Sequence, residues 1–588
     1  MTIACLKKLF QAVWLVDFEF HQPDGEHPTP LCLVAKEVFT GRVIRAWNPS
    51  GSMPPYGIGP DALFVSYYAS ADLSCHLALG WPMPIRVLDL CAEFRRQVCG
   101  RSVPSGYGLL GALAYFGLPG LESAAKEGLR DLAIRGGPHT PEEQKQLLAY
   151  CDSDVVALER LVAALLPHLD LPRALIRGEY MAALTHVEWR GVPLDIRRLQ
   201  ILRDRWDEIK LTLIQRVDRD YGVYDGTAFK CDRFERWCQA CGIVWPTLPS
   251  GQLALDLKTF REMAKIHPQL NSLKELRSTV GKFRLNNLTI GRDGRNRCIL
   301  SAFASRTARN QPSNSKFIFG PAVWIRNLIK PGPGRAVAYI DWEQQEFGIA
   351  AALSGDGAMM TAYQSGDPYL AFAKQAGAVP ADATKETHKA ERGLYKNCAL
   401  AVQYGMGESA LGYRLGLSPA HGRELLGKHR ATYPRFWRWS DAVQDHAMFH
   451  SVLQSTFGWR VQVDRDPNPR SLRNFAAQAN GAEMLRLAII LAHRAGLEIC
   501  APVHDALLIE ARIENIEAAV ATCQRAMQQA SELVLPGFPL RTEAKIVRAP
   551  GRYSDERGAK LWAELWEIPV LKQALQQTEN ENEQDGSL

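Results

Sequence analysis

A chain of 588 residues, 46% hydrophobic and 22% charged, is too apolar for a disordered polymer and too long for one domain, so roughly three to five domains are expected. Its 69 basic and 63 acidic residues leave a net charge of +6, a weakly basic balance that suits a polyanionic partner without requiring one. Thirteen cysteines, an odd number scattered along the chain, argue against a disulfide frame and for a reducing, cytoplasmic setting, and no apolar run approaches the ~20 residues that cross a bilayer.

The opening MTIACLKKLFQAVWLV imitates a secretory leader, with Lys7 and Lys8 ahead of an apolar stretch. Gln11 interrupts that stretch, no small-residue cleavage site follows, and it runs into Asp17 and Glu19, so a buried strand is expected here. Residues 1–170 alternate short apolar runs with helix-like stretches, the pattern of an α/β layer domain. Asp17 and Glu19 stand two apart in a strand pattern and therefore point to one face. Like charges side by side are costly unless a cation shares them, which makes the pair a candidate divalent-metal site. Tyr150 and Asp154 lie one helical turn apart, where a phenol beside a metal-binding carboxylate can orient an attacking water. Asp72 is either a further ligand or an ordinary helix-start aspartate.

From 171 to about 300 the periodicity is helical, with Leu199, Leu202, Trp206, Ile209, Leu213 and Val217 on one apolar stripe and a Lys/Arg-rich segment at 273–297. Beyond it, Asp341 ends the strand-like AVAYI, and Asp505 ends EICAPVH just before ALLIEA, a tight hairpin with the carboxylate at its turn. Between them Arg392, Lys396, Leu400 and Tyr404 recur every fourth residue on one helix face, and Gly405 suits the helix end. Two cations one turn apart, then an apolar and an aromatic residue, fit a triphosphate at one end and a base and sugar at the other. The tail 576–588 is acidic and rich in Gln and Asn, and is expected to be a solvated, disordered end.

Two family resemblances rest on these residues. D-F-E at 17–19, a middle aspartate and Y-x-x-x-D at 150–154 resemble the DEDDy proofreading 3′–5′ exonucleases. That resemblance implies metal binding by Asp17, Glu19, Asp72 and Asp154 and water positioning by Tyr150. The family usually carries asparagine four residues before the middle aspartate, where this chain has Tyr68. DWEQQE at 341–346, R-x-x-x-K-x-x-x-L-x-x-x-Y-G at 392–405 and VHD at 503–505 resemble motifs A, B and C of the A-family DNA polymerases, in their bacteriophage layout. RGVPLD at Arg190 resembles the family's thumb opening, and RTARNQPS places Arg309 at its primer-contacting arginine.

The implied fold is a multidomain α/β chain: an RNase H-like exonuclease domain (1–170), then a right-hand polymerase with a helical thumb (171–300), an α/β palm with an antiparallel sheet (301–355 and 466–575) and helical fingers (356–465). The resemblance implies two Mg²⁺ at each centre, Mn²⁺ being a possible substitute, with Asp341 and Asp505 as the polymerase ligands. Arg392 and Lys396 would hold the incoming phosphates, Lys396 also giving a proton to the leaving group. Tyr404 would stack near the template base, and Glu346 would press beneath the sugar. Gln344, Arg309, Arg470, Asn474, Gln478 and His504 would line the DNA. The implied partners are primer–template DNA and deoxynucleoside triphosphates, acting on a monomer in the bacterial host cytoplasm, with no membrane and with a thumb tip that could host a processivity factor. Leu400 stands where the family has Phe or Tyr, and Ala506 where motif C continues with Glu. The rival reading is an RNase D-like nuclease whose C-terminal half only binds nucleic acid.

Overall fold

The computed structural model describes residues 2–119, 123–281, 285–320, 322–464 and 467–585, without side chains at a few of these. The chain forms two compact units: Met1–Gly191, Ile299–Gln311 and Val337–Ile546 make the first, and Val192–Cys298, Pro312–Ala336 and Val547–Leu588 the second.

The first unit starts with a correction. Ile3–Lys7 is a short helix, and the expected strand, β1, begins only at Ala12 and runs to His21. Leu6 still packs into the core, so the apolar character that suggested a strand is used by a helix turn. The other strands of this sheet are β2 (Thr29–Glu37), β3 (Val43–Trp47), β4 (Ala62–Ser66) and β5 (Val87–Asp89), in the order β3-β2-β1-β4-β5. β1 is antiparallel to β2 and parallel to β4, so the sheet is mixed. Val13 to Val16 are all buried because helices cover both faces. The helix α1 (Ala69–Leu79) lies on one face. On the other, α2 (Pro141–Leu165) starts at a Thr140–Glu143 capping box and packs Leu147, Cys151 and Val155 against Val13 and Leu15. That puts Asp17 and Glu19, at the same strand parity, toward α2. The long helix α3 (Leu171–Arg190) also belongs to this unit.

Further along come β6 (Arg335–Trp342), α4 (Gln345–Ser354), α5 (Lys389–Gln403), α6 (Pro469–Arg494), β7 (Glu498–Val503), β8 (Ala506–Arg512), α7 (Ile516–Val534) and β9 (Thr542–Arg548). The four strands form a second sheet in the order β7-β8-β6-β9. Buried ion pairs tie parts of this unit together: Arg177 grips Glu93 through two bonds of 2.5 and 2.9 Å, and Arg486 pairs with Glu483 while donating to the Ala308 carbonyl at 2.8 Å.

The second unit is mainly helical. The predicted apolar stripe is present, split between helices Ile196–Asp204 and Trp206–Asp218, with Leu199, Leu202, Ile209 and Leu213 buried. Asp195 caps the first of these helices and receives Arg552 at 2.9 Å. In the basic segment, residues 282–284 lie outside those described. A groove of about 760 Å³ runs between the helices, with Arg216, Arg261, Lys274 and Lys560 on its walls over Leu213 and Leu257. Helix Pro569–Asp585, anchored at its start by buried Leu571, runs into the acidic tail, where Gln and Glu favour a helix more than the interspersed Asn, Thr and Asp do. Residues 586–588 lie outside those described.

Candidate functional site

Two groups of carboxylates stand in the first unit, one on each sheet. In the N-terminal sheet, Asp17 and Glu19 of β1 meet Asp154 of α2, each offering a ligand oxygen within 4.8 Å of the others. Asp17 Oδ2 is shut off from water and has no hydrogen-bond partner. Burial pushes the Asp17 carboxyl well above its usual range, and the charges of Asp154, Glu19 and Asp72 push it further. Tyr150, one turn before Asp154, is buried beside the same charges, and its hydroxyl is likewise raised, chiefly by burial and then by Asp154 and Glu19. An arrangement of acids that repel one another around an unpartnered oxygen is the donor set a hard divalent cation takes.

Asp72 stands apart from that group of three. It sits in the first turn of α1, buried, and its Oδ1 accepts the Phe18 amide at 3.1 Å. Burial lifts its carboxyl to about 8. The bond to Phe18 holds the backbone of β1 between Asp17 and Glu19. Tyr68, just before α1, takes a left-handed φ of 67°. The Ala69 amide that opens the helix is satisfied by Asp89 at 2.7 Å, a residue that sequence reasoning passed over.

In the second sheet, β7 and β8 form the expected hairpin. Val503 pairs with Ala506, His504 and Asp505 make the turn, and His504 carries a φ of 56°. The Asp505 carbonyl accepts the Trp342 amide at 3.2 Å, so Asp341 and Asp505, far apart in sequence, are neighbours across adjoining strands. Burial followed by the Asp505 and Glu543 charges raises Asp341 to about 6, and burial raises Asp505 as well.

Around this pair the cations are already engaged. Arg309 reaches Glu346 at 3.1 Å, Arg541 reaches Glu343 at 3.2 Å and touches Gln344 at 3.5 Å, and Arg392 bonds Asp367. The ring of Tyr369 lies under both Arg392 and Lys396, at 5.9 and 5.7 Å. α5 carries Arg392, exposed Lys396 and half-exposed Leu400 to Tyr404 at its C-cap, whose hydroxyl burial and the Glu346 charge raise. Gly405 has a φ of 65°, and a Cβ there would lie 3.0 Å from Arg470, so glycine lets the start of α6 approach the end of α5. Asn474 and Gln478 follow Arg470 at one-turn spacing, both half-exposed. The predicted residues of the second site therefore divide into the two aspartates with Arg309, Glu346 and Tyr404 around them, and a cationic face on α5. Glu543, Glu343, Arg541 and Asp367 were not found from the sequence, because only strand order and helix packing bring them near.

Comparison with known proteins places this geometry. Residues 320–549 match the family model described as DNA polymerase family A. The chain is 25% identical over 408 residues to the DNA polymerase of Mycobacterium phage D29, covering 67% of this chain and 66% of that one. It is 23% identical over 405 residues to the DNA polymerase of Mycobacterium phage L5, with the same coverage. DNA polymerase I of Chloroflexus aurantiacus is 25% identical over 433 residues, 67% of this chain and 45% of the relative. The match thus spans just under two thirds of the phage relatives and less than half of the bacterial one. Among solved structures, the POL domain of Pol1 from M. smegmatis, in complex with DNA primer-template and dNTP, aligns with a TM-score of 0.69 at 18% identity, over 95% of this chain and 98% of that one. That likeness is one of fold. Asp341, Lys396 and Asp505 all fall inside the matched segment 320–549.

Proposed function

We propose that the protein is a template-directed DNA polymerase that adds deoxynucleotides to a primer 3′ end, paired with a 3′–5′ proofreading exonuclease, and that it serves phage-type DNA replication. The observation that carries the polymerase reading is the meeting of Asp341 and Asp505 across adjoining strands, inside the segment that matches family A. The trio of Asp17, Glu19 and Asp154 with Tyr150 supports the exonuclease. Residues 1–170 are assigned to the exonuclease, 171–300 to the thumb, 301–355 and 466–575 to the palm and 356–465 to the fingers. Primer–template DNA and deoxynucleoside triphosphates are the partners.

Both acid groups fit Mg²⁺, which would lower the pKa of an attacking hydroxyl and neutralise charge on the displaced phosphate. The chain's own residues do the rest. Lys396 and Arg392 bind the triphosphate as a point charge and a planar fork, and Lys396 holds the proton that the leaving pyrophosphate takes. Tyr404 stacks on the nascent pair. Glu346, held in place by Arg309, closes the floor beneath the sugar and excludes a 2′-hydroxyl. Gln344, Asn474, Gln478, Arg470 and His504 contact acceptor positions and phosphates that differ little between sequences, as a general copier needs. At the other centre Tyr150 orients the attacking water. The basic groove of the second unit supports duplex binding, so affinity for primer–template should fall steeply between low and moderate salt.

A labelled, mismatched primer incubated with Mg²⁺, first without and then with nucleotides, tests both activities in one tube. The wild type shortens and then extends the primer, and Asp341→Asn only shortens it. Undiminished synthesis by Asp341→Asn overturns the polymerase reading. Degradation by the wild type that never turns into extension supports a nuclease with a non-polymerising second half.

A further inference from the structure

The hairpin that carries Asp505 contributes one carboxylate only, because the next residue is Ala506, buried and uncharged. Three glutamates nevertheless influence the aspartate pair: Glu343 and Glu543 act on Asp341, and Glu346 on Asp505. Glu343 is tied to Arg541 and Glu346 to Arg309, so both are already neutralised. Glu543 is exposed and has no ion-pair partner among the described residues.

The strand ladder fixes where Glu543 stands. The Glu343 amide donates to the Arg541 carbonyl at 3.0 Å, and the Ala549 amide to the Arg335 carbonyl at 3.0 Å. These bonds lie equal numbers of residues apart on the two strands and run in opposite senses, which defines one unbroken antiparallel register between β6 and β9. In that register Asp341 stands directly opposite Glu543. Opposed residues of an antiparallel pair share a face, with Cβ atoms about 4.5–5.5 Å apart. Asp341 is therefore flanked by Asp505 on the β8 side and by Glu543 on the β9 side. Two carboxylates provide two negative charges against the four of a Mg²⁺ pair, and a third reduces that imbalance where the octahedral ion still wants oxygen, directly or through water.

We propose that Glu543 is the third carboxylate of the polymerase metal centre, positioning the ion that Asp341 holds and supplying from β9 the charge that Ala506 does not. This rests on the reading of Asp341 and Asp505 as metal ligands, and its test separates the two. The probe is Mn²⁺, titrated by electron paramagnetic resonance into the full-length protein bound to a dideoxy-terminated primer–template and the next nucleotide. An Asp17→Asn/Glu19→Gln background silences the N-terminal acids. Glu543→Gln should weaken Mn²⁺ binding about tenfold and raise the Mg²⁺ needed for half-maximal extension by a similar factor, as loss of a supporting partner does. Glu543→Asp should recover part of the affinity, and Ala506→Glu placed on Glu543→Gln should recover more. Wild-type Mn²⁺ affinity and Mg²⁺ requirement in Glu543→Gln overturn the proposal. If Asp341→Asn also leaves Mn²⁺ binding untouched, the two-aspartate centre itself fails, a result Glu543→Gln alone cannot produce.

Discussion

The two acid groups of the first unit are built from the same residue types, yet their surroundings differ. On the N-terminal sheet the acids come from one strand and a helix across its face, Asp17 Oδ2 is sealed from water, and among the described residues no cationic side chain pairs with Asp17. On the second sheet the acids come from neighbouring strands and a hairpin turn, and arginines hold two of the outer carboxylates. Asp17 is accordingly displaced well above the carboxylate range, whereas Asp341 is held at about 6. A centre that must trap a water and cut one bond can be closed and preformed. On the proposed reading, a centre that must admit a primer end, a template and a triphosphate stays less sealed, with its arginines already paired to outer carboxylates.

If the centres are independent, the sharpest break comes from a single ligand. Asp154→Ala should cut primer shortening by more than about 100-fold, since even outer partners of a metal centre are worth 10–100-fold, and leave extension within about twofold. Loss of both activities in gel assays of that variant would mean that the two sheets act as one site.

Acidity should separate them next. Protons compete with a divalent ion for the same oxygens, and the more strongly raised acids give way first. Lowering the pH from 8 toward 6 at subsaturating Mg²⁺ should therefore depress shortening before extension, by about tenfold per pH unit for each proton displaced. Profiles that fall together would show that the acids of the two sites are equally perturbed.

A smaller effect appears in stability. A carboxyl raised in the folded state binds more protons folded than unfolded between its unfolded value, near 3.8, and its folded one. The metal-free protein should thus lose stability as pH rises through that window. Asp17→Asn removes the repulsion, and should raise the melting temperature in EDTA at pH 8 by about 2–4 °C while lowering the stabilisation that Mg²⁺ confers. A lower melting temperature would show that Asp17 is a structural acid, not a metal-facing one.

Much of this was legible in residue spacing. Asp17 and Glu19 on one strand face, Tyr150 one turn before Asp154, and a hairpin turning at His504–Asp505 all follow from local periodicity, and all are present. What spacing could not reveal depends on partners distant in the chain. Asp72 was singled out by its order in the chain, and spacing gave no sign that its carboxylate also accepts the amide of Phe18 from another element. Arg392 read as a free phosphate binder, and its bond to Asp367 exists only because α5 packs beside helix Pro368–Gln375. Glu543 lies opposite Asp341 only in a register that no pattern within either strand specifies.

Leu400 carries the comparison to a single side chain. It sits half-exposed on α5, one turn before Tyr404, on the face that the proposed polymerase reading turns toward the sugar. Leucine fills less of that space and offers no flat surface, so a sugar lacking its 3′-hydroxyl loses less on replacing the natural one. Leu400→Phe should shift the ratio of dideoxy- to deoxynucleotide incorporation by a few-fold, on the scale of about 1 kcal/mol for a ring packed in place of an aliphatic chain. Single-nucleotide incorporation measured for both sugars would show it, with primer shortening unchanged because residue 400 lies on α5, which packs on its neighbouring helices. An unchanged ratio would mean that Glu346 and Arg309 set the sugar preference without help from this position.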